Sequence, residues 1–311
     1  MKAVFLDAAT FSSQVDLSLP KCITDYERYD STKTDQIIDR CYDADIIITN
    51  KVVITADIIS KLPKLKLIHV TATGVNNIDV KACDECGITV KNVAGYSVKS
   101  VPEHTFMLLL NIMRAARHYH QKATDGTWQA DGRFCLLDEP IFDLSGKTIG
   151  IIGSGNIGRQ VGKIAAAFGM TVLFAERRGR VPRSKEYSDF YTVLQTADVL
   201  SLHCPLTDDT YHLISNDTLE QMHKKPVIIN VARGDIVDSH AIVHAITTGQ
   251  ITGYATDVFP HEPFNDDEPL LNLKDHPRVF FTPHNAWGSL NAQRTLWGIL
   301  CRQIDEFISH V

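Results

Sequence analysis

Short apolar runs alternate with stretches of helical period along most of the chain. In the first hundred residues the runs Ala3–Leu6, Asp45–Thr49, Leu65–Thr71 and Ile88–Val90 read as strands. Helical spacing lies between them near Thr34–Cys41, Ala56–Lys61 and Val80–Cys86. Strands that alternate with helices build a parallel sheet. The quartet Ser100-Val101-Pro102-Glu103 then reads as a helix start, an S-x-x-E capping box with proline at the first helical position. An apolar stripe at Val101, Thr105, Leu108, Ile112 and Ala115 predicts a long helix, suited to connect two domains.

From about Tyr119 to Ser145 periodicity fades, with Gly126, Trp128, Gly132, Phe134 and Pro140 interspersed. An irregular segment of that length is usually functional or docks elsewhere. Its aromatics predict packing either on its own chain or on a second subunit, and a homodimer is expected. Beyond it six strands are predicted, at Thr148–Ile152, Thr171–Ala175, Val199–His203, Val227–Val231, Ile251–Asp257 and Val279–Thr282. Helical patterns fall between them, at Asn216–His223 and at Ser239–Thr248, the latter ended by Gly249. Six is the number of a full doubly wound fold. The last helical stretch, Ser289–His310, carries Leu296, Leu300, Ile304 and Ile308 in register. It follows a completed domain, so it is expected to return to the first one and make that domain discontinuous. The expected organisation is α/β with two domains. A smaller flavodoxin-like α/β domain spans 1–98 and is completed by 286–311. A doubly wound parallel-sheet domain spans 99–285.

The junction of the first of those six strands with its helix carries a motif. Gly153-Ser154-Gly155-Asn156-Ile157-Gly158 is G-x-G-x-x-G, and it sits between an apolar strand and a helix with Ile157, Val161, Ile164, Ala165 and Phe168 on one face. Gly153 permits a tight turn, Gly155 lets backbone amides approach a pyrophosphate, and Gly158 lets the helix pack closely on the strand. The helix N-terminus offers free N–H groups and the positive end of a dipole. Such folds place an acidic residue at the end of the second strand to bind ribose hydroxyls, and Glu176 stands there. A carboxylate would repel a 2′-phosphate, so NAD is the expected cofactor. Arg177 and Arg178 follow directly, and an arginine can hold that phosphate with two hydrogen bonds. NADP or dual use therefore stays open.

Composition narrows the partners. A chain of 311 residues with 44% hydrophobic and 22% charged residues can bury two cores. Its net charge of −6 argues against nucleic acid or an anionic membrane as the main partner. No signal peptide is visible, and no apolar run approaches the ~18 residues of a membrane helix. A cytoplasmic protein is expected. The seven cysteines are scattered and odd in number, as in a reduced compartment. Cys83-Asp84-Glu85-Cys86 has no second pair for zinc, and no metal site is expected.

In open parallel sheets ligands bind at the carboxyl ends of the strands. There the sequence places Ala232-Arg233-Gly234, then Asp257 with His261-Glu262-Pro263 beyond it, then Pro283-His284-Asn285. Reduction of a 2-keto acid by hydride needs those residue types. A cationic fork such as Arg233 holds the carboxylate and polarises the ketone. An imidazole such as His284 delivers the proton, and a carboxylate such as Glu262 orients that imidazole and favours its charged form. Help of this kind is worth about 10²–10⁴ in rate.

The chain resembles the D-isomer-specific 2-hydroxyacid dehydrogenase family nearly end to end. The resemblance rests on Thr73-Gly74-Val75-Asn76-Asn77-Ile78-Asp79, Gly95-Tyr96-Ser97, Gly153–Gly158, His203-Cys204-Pro205-Leu206-Thr207, Asn230-Val231-Ala232-Arg233-Gly234, Asp257-Val258-Phe259 and Thr282-Pro283-His284. It implies that Arg233 binds substrate and that Glu262 and His284 form the acid–base pair. It also implies that the first domain serves the substrate, with the amides of Gly74 and Val75 on its carboxylate and Lys51 at its mouth. For the cofactor it implies Val101 along the nicotinamide and Asp257 at the carboxamide. Cys204, Pro205, Ala232 and His284 would line the rest of that site, and Glu176 stands where the family more often has aspartate. Ala175-Glu176-Arg177, Asn285-Ala286-Trp287 and the segment from Phe134-Cys135 through Asp143-Leu144-Ser145-Gly146 are similar to the glycerate dehydrogenase / hydroxypyruvate reductase branch. Hydroxypyruvate is then the expected substrate and glyoxylate the next, with D-glycerate and glycolate as products. The alternatives are a D-lactate-type or other 2-keto-acid reductase of the same family, or a corepressor-like protein that senses the nucleotide.

Overall fold

The computed structural model describes residues 1–310. The chain divides into two units, Met1–Ser97 with Trp287–Val311, and Val98–Ala286.

The first unit is built on five parallel strands. These are β1 (Lys2–Phe5), β2 (Asp25–Arg28), β3 (Ile46–Thr49), β4 (Leu67–Val70) and β5 (Thr89–Asn92), in the order β2-β1-β3-β4-β5. That order is flavodoxin-like. The central strands β3 and β4 are buried at every position, which their Ile-, Leu- and Val-rich sequences allow. Successive side chains serve opposite faces. Val4, Leu6, Ile47 and Ile68 pack with Ile37 and Ile58 on one side. Ala3, Phe5, Ile46, Ile48 and Leu67 pack on the other with Leu296, Trp297, Leu300 and Ile304 of the C-terminal helix Leu290–Ile308. The C-terminal helix therefore belongs to the first unit, and Ser289 caps it by accepting from the Ala292 amide. On β4, His69 is fully buried with its Nε2 2.8 Å from Oε1 of Gln303, and burial pushes its pKa down to about 4.

The second unit holds seven parallel strands: β6 (Thr148–Ile152), β7 (Thr171–Ala175), β8 (Tyr187–Ser188), β9 (Val199–Leu202), β10 (Val227–Asn230), β11 (Gly253–Thr256) and β12 (Val279–Phe281). They run β12-β11-β10-β9-β6-β7-β8. This is the doubly wound dinucleotide-binding order with one strand added at an edge. The order reverses between β6 and β9, which is where such sheets open to a ligand.

Several features depart from expectation. Strands β2 and β8 escape a search for apolar runs because Asp25-Tyr26-Glu27-Arg28 and Tyr187-Ser188 are edge segments without one. The segment read as irregular contains the helices Ala116–Thr124 and Thr127–Asp131. Neither buries a residue, so neither shows an apolar stripe. The helix Ser100–Met113 is not a free connector, because Phe106, Leu108, Leu109, Ile112 and Met113 pack on Ile149, Ile151, Val199 and Ile229 of the second sheet. Its S-x-x-E does not form a capping box either. Ser100 lies inside the first turn and donates its hydroxyl to the Ala286 carbonyl oxygen at 2.6 Å.

Candidate active site

Strand β6 ends at the glycine motif, and steric demand explains two of its glycines. Gly153 has φ +103°, and a Cβ there would lie 2.5 Å from the amide nitrogen of Cys204. A Cβ on Gly158 would overlap the carbonyl oxygen of Gly153. The helix Asn156–Ala167 can thus start directly against the turn. Gly155 differs, since a Cβ there would meet no protein atom within 4 Å. Protein packing does not require glycine at that position, but close approach of a phosphate to the backbone does. Gly155 is also the N-cap residue and supplies no side-chain cap to the helix amides. The motif therefore fits a dinucleotide pyrophosphate. Ser154 Oγ lies 2.8 Å from the hydroxyl of Tyr187, which ties the phosphate loop to β8.

Glu176 follows β7, as the ribose role requires, and is buried. Both its oxygens are engaged. Arg183 donates from Nε to Oε2 at 2.8 Å and from Nη2 to Oε1 at 2.8 Å, and the backbone amides of Arg177 and Arg183 donate as well. The Arg183 fork and these amides hold the carboxyl down at about 2. Arg177 itself is exposed.

Strands β10, β11 and β12 are sheet neighbours in parallel register, with Asn230 opposite Thr256 and Thr256 opposite Phe281. Whatever follows them emerges on one edge. The Asn230 side chain shapes the first loop, accepting from the Ala232 amide at 3.1 Å and donating to the Arg233 carbonyl at 2.9 Å. Arg233 is exposed at the tip, while Ala232 is buried. Gly234 lets this loop lie against the next, because a Cβ there would overlap the carbonyl carbon of Phe259. The Phe259 amide donates to Oε1 of Glu262 at 3.0 Å, and Oε2 of Glu262 lies 2.5 Å from Nδ1 of His284. The loop that carries Arg233 thus lies against the segment that carries Glu262, whose carboxylate meets His284. Both members of that pair keep a little under a third of their side-chain surface exposed.

His284 has φ +50°, a left-handed conformation uncommon for a residue with a Cβ. Asp257 holds the turn in place. Its Oδ1 accepts from Thr282 Oγ1 at 2.6 Å and from the Asn285 amide at 2.9 Å, and its Oδ2 accepts from the Ala286 amide at 2.9 Å. The Thr282 hydroxyl is spent on Asp257, so it accepts from Nε2–H of His104 at 3.0 Å. Burial of His104 lowers its pKa despite the nearby Asp257 carboxylate. Sequence marks Asn230 and Thr282 only as members of the family motifs and leaves His104, Tyr187 and Arg183 unmarked. Of these last three, Arg183 alone carries a signal, as the fourth arginine of the run Arg177, Arg178, Arg180, Arg183.

The remaining expected residues are distributed as follows. Val101 is buried in the first turn of Ser100–Met113, Cys204 is buried after β9, and Pro205 beside it is exposed. Asn156 and Ile157 open the helix behind the glycine turn. Lys51, Gly74 and Val75 belong to the first unit, in loops at the carboxyl ends of β3 and β4. The buried carboxylate of Asp7 holds the Lys51 loop, accepting from the amides of Asn50 at 2.8 Å and Lys51 at 2.7 Å. Burial raises the pKa of Asp7 against the pull of those amides. All seven cysteines are free thiols, Cys83 buried and Cys86 exposed. Among the described residues no helix is long and apolar enough to cross a membrane.

Comparison with known proteins identifies the family. The NAD-binding domain of D-isomer-specific 2-hydroxyacid dehydrogenases matches residues 106–286. A Haemophilus influenzae protein provisionally described as a 2-hydroxyacid dehydrogenase is 41% identical, over 100% of this chain and 99% of that one. A glycerate dehydrogenase of Methylorubrum extorquens is 37% identical over 99% and 96%. A hydroxypyruvate reductase of Blautia hydrogenotrophica is 33% identical over 94% and 90%. Among solved structures, the D-lactate dehydrogenase of Aquifex aeolicus, in complex with NAD and lactic acid, superposes with a TM-score of 0.79 at 26% identity, over 99% and 96% of the two chains. The chain therefore belongs to the D-isomer-specific 2-hydroxyacid dehydrogenases, two-domain α/β oxidoreductases that use NAD.

Proposed function

We propose that the chain reduces hydroxypyruvate to D-glycerate, and glyoxylate to glycolate more slowly, with Arg233, Glu262 and His284 as its reacting residues. The observation that carries the chemistry is the Glu262–His284 pair, set by the Phe259 backbone beside the Arg233 loop. The substrate reading draws on the relatives named glycerate dehydrogenase and hydroxypyruvate reductase. When bound, the reduced nicotinamide supplies a hydride to the carbonyl carbon. Arg233 pairs with the substrate carboxylate and polarises the ketone, a task its planar fork suits. Glu262 occupies Nδ1 of His284 and so leaves Nε2 to give the proton to the carbonyl oxygen. In the oxidative direction the same nitrogen takes that proton back. Asp257 keeps the backbone on either side of the imidazole fixed.

The protein is proposed to be a cytoplasmic homodimer. In support, the exposed Trp128, Phe134, Leu137 and Ile141 gather in one segment of about 15 residues, as an interface does. Steady-state kinetics with hydroxypyruvate, glyoxylate and pyruvate test the substrate. Hydroxypyruvate is expected to lead in kcat/KM, and a pyruvate value about tenfold above it would overturn the assignment. Negligible turnover with every keto acid would favour a nucleotide sensor instead.

A further inference from the structure

A carboxylate at the end of the second strand of such a fold is expected to take the ribose hydroxyls and repel a 2′-phosphate. In this chain that carboxylate is already paired. The Arg183 fork closes on both oxygens of Glu176, and its guanidinium carbon lies 4.2 Å from the centroid of the Tyr187 ring. Glu176 is 4% exposed, whereas half of the Arg183 side-chain surface reaches solvent. Positive charge is in excess around the pair. Arg177, Arg178 and Arg180 are exposed, and none forms an ion pair among the described residues. The nearby Glu186 is taken by Arg159.

We infer that the Glu176–Arg183 pair, rather than Glu176 alone, sets cofactor choice, and that this site accepts a dinucleotide bearing a 2′-phosphomonoester as well as NADH. Two features support this beyond the arginine count. Glu176 keeps two donors that do not depend on the guanidinium, the amides of Arg177 and Arg183. The carboxylate stays hydrogen-bonded when the fork turns to a phosphate. Tyr187 supports the guanidinium from its ring face, and that ring is itself anchored through its hydroxyl to Ser154 of the phosphate loop. Arg183 can therefore exchange one oxyanion partner for another without losing its platform. A fork that binds carboxylate with two hydrogen bonds binds phosphate in the same way.

The inference rests on nucleotide binding by the family and not on the identity of the keto acid. Its test contains no keto acid, so the substrate proposal and this one fail separately. Dissociation constants for NADH and NADPH are measured by fluorescence titration of the wild type, Arg183→Ala, Arg183→Lys and Glu176→Gln. The wild type is expected to bind NADPH within about tenfold of NADH. Arg183→Ala should raise the NADPH-to-NADH ratio of dissociation constants by about fivefold or more, with NADH changed far less. Arg183→Lys should lose part of that discrimination, since it keeps the charge without the fork. Glu176→Gln should weaken NADH and spare NADPH. A wild type that binds NADPH more than about tenfold worse than NADH would overturn the inference. So would a ratio that rises by less than about fivefold in Arg183→Ala. If that variant fails to fold, a ratio in Arg183→Lys equal to that of wild type would overturn it.

Discussion

Alanine placed at Gly155 and at Gly158 should separate cofactor binding from folding within one motif. At Gly158 the new Cβ would overlap the Gly153 carbonyl oxygen and approach Ile151 Cγ2 to 3.2 Å. Gly153 is backbone in a left-handed turn wedged against His203 and Cys204, so it cannot yield cheaply. The helix Asn156–Ala167 must move off the strand by roughly 1 Å, at a cost of about 1–3 kcal/mol. Alanine is the better helix former by about 1 kcal/mol, which offsets part of that cost. A net loss near 1 kcal/mol lowers Tm by roughly 2–4 °C for a unit of this size. A displacement of about 1 Å at the phosphate loop should also weaken NADH binding, because the helix amides that meet the pyrophosphate move with it. At Gly155 the Cβ meets nothing within 4 Å and φ is −69°, so the fold should tolerate alanine within about 0.5 kcal/mol. NADH should nonetheless bind about tenfold more weakly, because the methyl stands where phosphate meets backbone. Thermal unfolding followed by circular dichroism, with fluorescence titration of NADH, reads both effects. Wild-type NADH affinity in Gly155→Ala would refute the reasoning, as would an unchanged Tm and affinity in Gly158→Ala.

Removing the proton donor should spare the cofactor. His284→Ala is expected to bind NADH normally and to lose about 10²-fold or more in kcat, and near-wild-type turnover at neutral pH would remove His284 from the proton step. His69 should make the protein acid-sensitive. Its pKa falls from an ordinary value near 6.5 to about 4 on folding. The unfolded chain therefore binds a proton that the native one refuses, and stability is lost as pH falls from 6.5 toward 4, by about 3 kcal/mol in full. In His69→Gln the urea-unfolding free energy should fall less between those pH values, and an unchanged slope would show that other groups dominate.

What sequence could reveal follows from how each element is stabilised. Strands such as Ile46–Thr49 and Val227–Asn230 are buried on both faces, so their apolar runs announce them. Edge strands β2 and β8 have one strand neighbour each and little apolar content, and pairing alone places them. Local spacing cannot reveal the role of the Ser100 hydroxyl, because its acceptor, Ala286, lies 186 residues away. At the candidate site, Arg233, Glu262 and His284 could be proposed because strand ends collect in a parallel sheet. The contacts that hold them could not. Asn230 and Thr282 stand inside the family motifs, but no spacing rule marks which backbone groups and hydroxyls they and His104 engage. The arginine run after Glu176 was visible, but which of its members closes on the carboxylate is decided by the fold that brings Arg183 back to β7.

The return of the last helix to the first sheet sets an order on biosynthesis. Ala3, Phe5, Ile46, Ile48 and Leu67 leave the ribosome early, while their cover, Leu296, Trp297, Leu300 and Ile304, is translated after the whole second unit. About 190 intervening residues at roughly 5–20 residues per second leave that face bare for on the order of 10–40 s. The nascent chain carries a sticky, half-finished sheet through this interval, during which the nucleotide unit can already complete its own core. A stop codon that removes only the final two dozen residues should thus leave a folded Rossmann unit tethered to an aggregating stub.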